Sequence, residues 1–581
     1  MTKRSAGRHP ENKVEVLDAT LRERTFGVSF AVGEKLAIAS MLDALGVAYV
    51  ESTFLTDDSK DVEYLKQVSS ALRRGGTLPV LHLRPEYFEA KKADTGASTS
   101  SSFATNLPSN IGRVSFEGNC WQSHLTEIFS FRKLDPEENL KKIRERTLAL
   151  RKQGKEVFFH ATHYFDGFFE DTTYALSALE AAIEGGASRV ILVDSRGSAL
   201  PENVSKTVKL VVNHLSARPN VTVGVHCQND LGLAVANTLA AVEAGAKHVE
   251  GTVNGLGERA GDADLCQVLP LLIAKLGIPA LNSPLPADQQ LVSLKALSRR
   301  VSDVSGIAYE QQPFVGVKAF AHSEPTHVSD VTNNPEIYEA INPALVGNSR
   351  RLGVDDASLI LTEMWELGLY SKEKDEVAKD VLSKMRELEA KGYKFDDAKA
   401  SVHLLILDTL GVAIRPFEVL RWETSTVSEL NVARQVTSTI EIGLGEGERT
   451  RRVIGSAKGV GPIHATDLAL RKALENEFPE LKELKLVSYS LNIVDSLNGT
   501  AAAARARTEF ADQEPVGVRH SPEQTTYSTW ATVAVSDDVL DASIRALIDC
   551  YRYKLIFRSK SSKFALPDWK VALSWRYSER C

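Results

Sequence analysis

Cysteine is scarce in this chain, with five residues among 581. The five are scattered, odd in number and form no CxxC pair, so neither a disulfide scaffold nor a cysteine-based zinc site is expected. No apolar run approaches the ~20 residues that a membrane-spanning helix requires. The polar start MTKRSAGRHPENK also lacks the apolar core of a signal peptide. These absences predict a protein of a reducing compartment, the cytoplasm by default.

An excess of positive charge is missing as well. The chain has 69 lysines and arginines against 76 aspartates and glutamates, a formal net charge of -7. This balance argues against nucleic acids and other polyanions as partners. The content of 43% hydrophobic and 25% charged residues is ordinary for globular proteins. A chain of this length suggests roughly two to four domains.

Eight short β-rich runs alternate with amphipathic helical patterns between Val14 and about Ile278. Such alternation with nearly continuous apolar strands indicates a parallel sheet. Eight units in about 260 residues fit a (β/α)8 TIM barrel, with a doubly wound open sheet as the alternative. The runs are VEVLDAT, VAYVEST, TLPVLHL, RVSFEGN, EVFFHATHY, RVILVDS, VTVGVHC and HVEGTVN.

Polar residues stand at the end of nearly every run, as in VTVGVHCQND at 221–230. Because successive side chains of a strand point to opposite faces, His226 and Gln228 share one face and Cys227 points away. Polar groups at the carboxyl ends of the strands are what an active site at a barrel mouth requires. Polar residues that only cap the next helix are the alternative for any single strand.

Changes of pattern along the chain predict five segments. A polar tail at 1–13 precedes the barrel at 14–280, and a proline-rich stretch leads into a helical subdomain at 281–410. A last domain at 411–557 mixes the strands STIEIGL, KLVSYSLNIVD and STWATVAVS with two amphipathic helices, which is typical of an α+β domain. The tail at 558–581 has no assignment.

Several long motifs carry a family resemblance. They include DATLRER at 18–24, HYFDG at 163–167 and NDLGLAVANTLAAVEAGAKHVEGTVNGLGERAGDADL at 229–265. The chain thereby resembles the metal-dependent TIM-barrel enzymes that include citramalate, 2-isopropylmalate and homocitrate synthases. The segment KGVGPIHATDLALRKALENEFPELKELKLVSY resembles their C-terminal regulatory domain, which forms dimers.

The resemblance implies an acyltransferase. A divalent ion chelates a 2-oxo acid and polarises its carbonyl, the enol of acetyl-CoA attacks, and the thioester is hydrolysed. Arg22 is expected to stabilise developing negative charge, and His327 and Tyr338 are expected to transfer protons. The expected metal ligands are Glu23, His226, Gln228 and Asp262, and the expected substrate-binding residues are Thr252, Arg84, Arg196 and Asn254.

The mouth departs from the family pattern. The family carries His-x-His on the seventh strand, and here Gln228 replaces the second imidazole. The family also carries Asn where this chain has Asp262, and a carboxylate where it has Thr162. Two oxygen ligands favour Mg²⁺ or Mn²⁺, with Zn²⁺ still possible. The alternatives are that Gln228 is a structural replacement in a dead site and that Asp262 caps a helix.

The default expectation is therefore a homodimeric, citramalate-synthase-like enzyme of amino-acid (isoleucine) biosynthesis that condenses acetyl-CoA with pyruvate. One alternative is a related C–C lyase or aldolase with a more anionic substrate, since Arg24 and Arg196 add positive charge. The other is a pseudoenzyme that binds a metabolite or a partner synthase. Arg22 and Glu23 lie outside the predicted apolar core, so Arg22→Ala and Glu23→Ala are each expected to abolish turnover and leave the fold intact.

Overall fold

The structure of the chain is a computed structural model. The described residues are 13–22, 25–54, 59–72, 76–83, 107, 110–128, 134–308, 311–316, 318–322, 324–352, 360–361, 363–364, 367, 374–395, 398–412, 414–428, 435–445, 450–494, 499, 502–515 and 527–558. They divide into two compact units, one of residues 1–321 with 334–350 and one of residues 322–333 with 351–581.

Eight parallel strands close into a barrel in the first unit, each hydrogen-bonded to its neighbours in chain order. The register closes where Leu17 of the first strand pairs with Glu250 of the eighth. The barrel prediction is therefore confirmed, and the open-sheet alternative is wrong. The strands are β1 (Glu15–Asp18), β2 (Tyr49–Phe54), β3 (Leu78–Leu83), β4 (Arg113–Asn119), β5 (Glu156–Thr162), β6 (Arg189–Asp194), β7 (Thr222–Cys227) and β8 (His248–Gly251).

The barrel strands coincide with the eight predicted runs, and helices connect most of them. The connecting helices are α1 (Val32–Leu45), α2 (Ser59–Ala71), α3 (Pro136–Lys152), α4 (Tyr164–Glu170), α5 (Thr172–Glu184), α6 (Pro201–His214) and α7 (Ala234–Glu243), and β8 is followed by α8 (Leu265–Pro270) and α9 (Leu294–Ser305). The sequence sets their ends. In α3, for example, Asp135 accepts a hydrogen bond from the Glu138 N–H and Pro136 occupies the first turn.

Alternation along each strand separates two cores. Outward residues such as Val114 and Phe116 pack in the large cluster that includes helix residues. Inward residues form a smaller apolar cluster inside the barrel, with Leu17, Val80 and Phe158 among its members. This inner cluster is the apolar base on which the site is built.

The second unit contains helices and two three-stranded antiparallel sheets. The elements that follow α9 along the chain are β9 (Ala321–His322), α10 (Pro325–Asn333), β10 (Arg351–Leu352), α11 (Lys374–Ala390), α12 (Lys399–Thr409), β11 (Glu418–Val427), β12 (Gln435–Leu444), β13 (Arg451–Gly459), α13 (Pro462–Leu474), β14 (Lys485–Ile493), β15 (Ala504–Pro515), β16 (Tyr527–Ser536) and α14 (Val539–Phe557). The strand orders of the two sheets are β11-β12-β13 and β14-β15-β16.

The α+β character of the last domain is confirmed. Each sheet is followed in the chain by one helix, α13 after β13 and α14 after β16. The segment predicted as one helical subdomain at 281–410 is divided between the two units. None of the helices in the described ranges combines the length and hydrophobicity that crossing a bilayer requires.

Candidate active site

A layer of buried polar side chains lies above the apolar base inside the barrel. These residues occupy inward-facing positions near the carboxyl ends of the strands. Gly224 on β7 leaves room for one neighbouring ring, since a Cβ there would lie 2.8 Å from His248 Cδ2. The layer consists of Glu51, His82, Ser115, His160, His226 and Glu250, all nearly inaccessible to solvent.

Three potential metal ligands converge at the end of β7. The backbone of Gln228 forms an isolated antiparallel β-bridge with the backbone of Asp262, and His226 Nε2 lies 3.5 Å from Asp262 Oδ1. The buried atoms His226 Nε2, Gln228 Oε1 and Asp262 Oδ1 each have no hydrogen-bond partner. Buried polar atoms are normally hydrogen-bonded, whereas here two of the three atoms meet only in the 3.5 Å ion pair between His226 and Asp262, and this indicates a place for a ligand. One imidazole nitrogen and two oxygens fit a divalent cation.

The glycine-rich loop NGLGERAG positions Asp262. The Asn229 N–H donates to the Gly261 carbonyl at 2.8 Å, and the Ala263 N–H donates to the Cys227 carbonyl at 3.1 Å. Gly261 has a φ of +91°, and a Cβ there would lie 2.0 Å from the Gly255 carbonyl oxygen. A side chain at 261 is therefore excluded, and the tight turn brings Asp262 beside β7.

Electrostatics favour a cation at His226. Burial alone would lower the pKa of its imidazole, but the Asp262 and Glu250 carboxylates raise that pKa to about 9. The imidazole thus sits in a strongly negative environment. Such an environment attracts a proton or a metal ion to the ring.

Arg22, on the short turn after β1, is buried against this layer. Its guanidinium forms an ion pair with Glu51, and Nη2 lies 3.8 Å from Glu250 Oε2 and 3.1 Å from His160 Nε2. Burial acts to lower the pKa of the guanidinium, but Glu51 and Glu250 hold that pKa above its usual range. Arg22 is therefore a permanent cation at the floor of the mouth.

A second group of possible ligands consists of Glu51, His82 and His160, whose nitrogen and oxygen atoms lie within 4.8 Å of one another. These atoms already have protein partners: Ser115 Oγ donates to Glu51 and lies 3.0 Å from His82 Nδ1. A metal ion here would also face the Arg22 guanidinium, which pairs with Glu51. This group therefore fits a metal ion less well than the group at the end of β7.

The other predicted residues of the barrel mouth differ in their surroundings. Thr252 is buried, and its hydroxyl donates to the Leu256 carbonyl at 2.6 Å. Arg196 is half exposed, with Nη1 3.1 Å from Asp166 Oδ1. Both remain predicted substrate contacts. Glu23 and Arg84 lie outside the described residues.

Asn254 faces α9. Its amide donates to the Ser298 carbonyl at 2.8 Å and accepts from the Ser298 hydroxyl at 2.5 Å. Both ends of the amide thus hold α9 against the loop after β8. Its contact with substrate stays a prediction.

The two predicted proton-transfer residues belong to different units. His327 lies on α10 in the second unit, exposed, with Nε2 3.6 Å from Glu324 Oε2. Tyr338 belongs to the first unit, directly after a short 3₁₀ turn at Pro335–Ile337, and is also exposed. Their roles stay predictions.

The sequence reasoning did not select His160 or Glu250. Glu250 meets three imidazoles, those of His160, His226 and His248. The available signal was parity: His160 precedes Thr162 by two residues, and Glu250 precedes Thr252 by two. Both therefore point inward with the residues that were selected.

Two family models define the class of protein that this fold and site represent. A model described as HMGL-like matches residues 13–296, and a model of the LeuA allosteric (dimerisation) domain matches residues 398–555. The class is thus a TIM-barrel protein with a C-terminal allosteric-type domain, which agrees with the observed fold.

Individual relatives make the assignment narrower. The chain is 35% identical to an (R)-citramalate synthase of Sulfolobus acidocaldarius over 93% of this chain and 97% of that protein. It is 33% identical to the (R)-citramalate synthase of Geobacter sulfurreducens, again over 93% and 97%. A 2-isopropylmalate synthase of Lactococcus lactis subsp. lactis is 29% identical over 83% and 87%. The chain belongs to the citramalate synthase and 2-isopropylmalate synthase family, and the predicted resemblance is confirmed.

Proposed function

We propose that this chain condenses acetyl-CoA with pyruvate to give citramalate and free coenzyme A. The observation that carries the proposal is a group of three buried potential metal ligands at the barrel mouth, His226 Nε2, Gln228 Oε1 and Asp262 Oδ1, which make no hydrogen bond. Relatives named (R)-citramalate synthase match the chain over nearly its full length. They favour this condensation over the lyase and pseudoenzyme alternatives.

The site fits a hard divalent ion. His226 Nε2, Gln228 Oε1 and Asp262 Oδ1 would hold it, with the predicted fourth ligand, Glu23, outside the described residues. Oxygen ligands favour Mg²⁺ or Mn²⁺ over Zn²⁺. When bound, such an ion supplies Lewis-acid polarisation of the 2-oxo acid carbonyl.

The protein groups supply charge, position and proton transfer. The acetyl methyl group loses a proton, its carbon bonds to the carbonyl carbon of the oxo acid, and the resulting alkoxide takes up a proton. Arg22, held by Glu51, places fixed positive charge at the floor where this oxygen develops negative charge. His327 and Tyr338 stay the residues predicted for the proton transfers. Water then cleaves the thioester and releases coenzyme A.

We also propose that the chain is a cytoplasmic homodimer. Strand β14 is an edge strand of its sheet. It exposes the apolar or aromatic side chains of Leu486, Val487, Tyr489, Leu491 and Ile493. Exposed apolar edge strands commonly pair with another chain. The match to the LeuA allosteric (dimerisation) domain over residues 398–555 supports a second copy as that partner.

The test is a free-thiol assay on the full chain with acetyl-CoA and a panel of 2-oxo acids. Each reaction contains Mg²⁺, Mn²⁺, Zn²⁺ or a chelator. We expect thiol release only when a 2-oxo acid and a metal are both present, fastest with pyruvate and with Mg²⁺ or Mn²⁺. Mass spectrometry should identify the product as citramalate.

Two variants locate the activity. Asp262→Ala removes a proposed ligand, and the metal concentration for half-maximal rate should rise at least about tenfold. Asp230→Ala removes a carboxylate of the same mouth that pairs with Arg259 instead, and the metal requirement should stay unchanged. Silence across the whole panel, with no metal bound, would leave the pseudoenzyme reading. Thiol release without any oxo acid would mean a thioesterase.

A further inference from the structure

Glu250 lies at the centre of the buried polar layer. It contacts His226 through Nδ1 and not through the proposed ligand atom Nε2. We propose that it is a positioning residue, whose carboxylate fixes the His226 ring so that Nε2 faces Asp262. The inference rests on the proposed metal site and adds a residue that acts on the metal through His226.

The hydrogen bond to His226 sets which ring nitrogen is available. Glu250 Oε2 lies 3.1 Å from His226 Nδ1. An ionised carboxylate only accepts hydrogen bonds, so Nδ1 carries the proton and donates it. The other nitrogen, Nε2, lies 3.5 Å from Asp262 Oδ1, and it is the position at which a bound cation would take the place of a proton. A ligating histidine held by a carboxylate on its far nitrogen is a recurrent arrangement at metal sites.

Glu250 is itself held on its other sides. Both of its carboxylate oxygens lie 2.9 Å from His160 Nε2, and Oε1 lies 3.3 Å from His248 Nε2. Arg22 Nη2 lies 3.8 Å from Oε2. Since the side chain is fully buried, these contacts leave the carboxylate little freedom to rotate. The ring of His226 is therefore anchored to a fixed point in the barrel.

Glu250 stands behind the ring and so acts indirectly. The Nδ1 and Nε2 atoms of an imidazole point away from each other, and Glu250 occupies the Nδ1 side. The proposed ligand atoms are His226 Nε2, Gln228 Oε1 and Asp262 Oδ1, which are buried and make no hydrogen bond. Replacement of Glu250 should therefore leave His226, Gln228 and Asp262 in the chain but free the His226 ring to turn.

The competing explanation is that Glu250 only balances buried charge. Glu51 offers a matched control, because it is equally buried and pairs with the same guanidinium. Its hydrogen-bond partner is Ser115, and it has no contact with His226 within the described polar network. Loss of a buried carboxylate in general would affect both variants alike. Loss of ring positioning would affect only the variant at Glu250.

The experiment measures Mn²⁺ affinity by electron paramagnetic resonance of free Mn²⁺, on the full chain without substrates. Glu250→Gln and Glu250→Asp should weaken Mn²⁺ binding by about 10- to 100-fold, the range known for partners of ligating histidines. Glu51→Gln should weaken it by less than about threefold. Thermal unfolding without metal confirms that each variant is folded.

The outcomes separate this inference from the proposed function. If the wild-type chain binds no Mn²⁺, the proposed metal site is wrong and the inference falls with it. If the wild type binds Mn²⁺ and a folded Glu250 variant binds it equally well, or Glu51→Gln loses as much, the positioning role alone is overturned. A crystal structure of the Mn²⁺-loaded wild type decides without any variant, since ligation through Nδ1 would also refute it.

Discussion

Replacement of Arg22 by alanine is expected to destabilise the barrel as well as to stop turnover. The sequence places Arg22 outside the apolar core, but in the structure it is buried between Glu51 and Glu250, neither of which reaches solvent. Arg22→Ala leaves two buried carboxylates without their shared cation. Breaking a buried ion pair in this way costs about 3–5 kcal/mol. For a barrel of this size the midpoint of thermal unfolding should fall by about 6–20 °C.

The assay is thermal and urea unfolding of the wild type, Arg22→Ala and the double variant Arg22→Ala with Glu51→Gln. The double variant removes one of the stranded charges, so it should recover a large part of the lost stability. Arg144→Ala is the matched control, because Arg144 pairs with Glu184 on the surface at 2.6 Å and should cost less than about 1 kcal/mol. An Arg22→Ala chain as stable as that control, or a double variant no more stable than the single one, would refute the argument.

Two further predictions concern pH and assembly. Burial raises the pKa of Asp18 from 3.8 to about 7. Between about pH 4 and pH 7 the unfolded chain has lost this proton and the folded chain keeps it. The free energy of unfolding of the wild type therefore falls by up to about 4 kcal/mol as the pH rises through this range. Asp18→Asn should remove that slope from urea unfolding curves, and an unchanged slope would contradict the shift. Leu491→Lys on edge strand β14 should give monomers in sedimentation, whereas Val427→Lys on the other sheet should not; dimers in both would place the interface elsewhere.

The barrel was predictable because each strand carries its own signal. Runs such as RVILVD and TVGVHC are almost entirely apolar and are buried on both faces, as parallel strands inside a ring of helices must be. Their polar ends then mark the mouth. Neither signal requires knowledge of any distant residue, so both could be recognised from the chain alone.

The strands of the last domain were harder to predict, because two kinds of strand there lack a continuous apolar run. Strand β15 alternates buried Ala504, Ala506 and Thr508 with charged residues, and alanine has a low β propensity. Strand β13 contains Gly455, where a Cβ would lie 2.1 Å from the Ala469 carbonyl of α13. Close packing against a helix stabilises these strands, so local propensity does not predict them.

The polar layer under the mouth depends on register, which the sequence alone does not specify. The barrel's register pairs His226 with Glu250 across β7 and β8, and both lie on the inward face. It also brings His160 of β5 within 2.9 Å of Glu250, although 90 positions separate them along the chain. An isolated glutamate in HVEGTVN gives no sign of this contact. The charged layer costs desolvation that an apolar core would avoid, so its arrangement is best explained by the chemistry it orients.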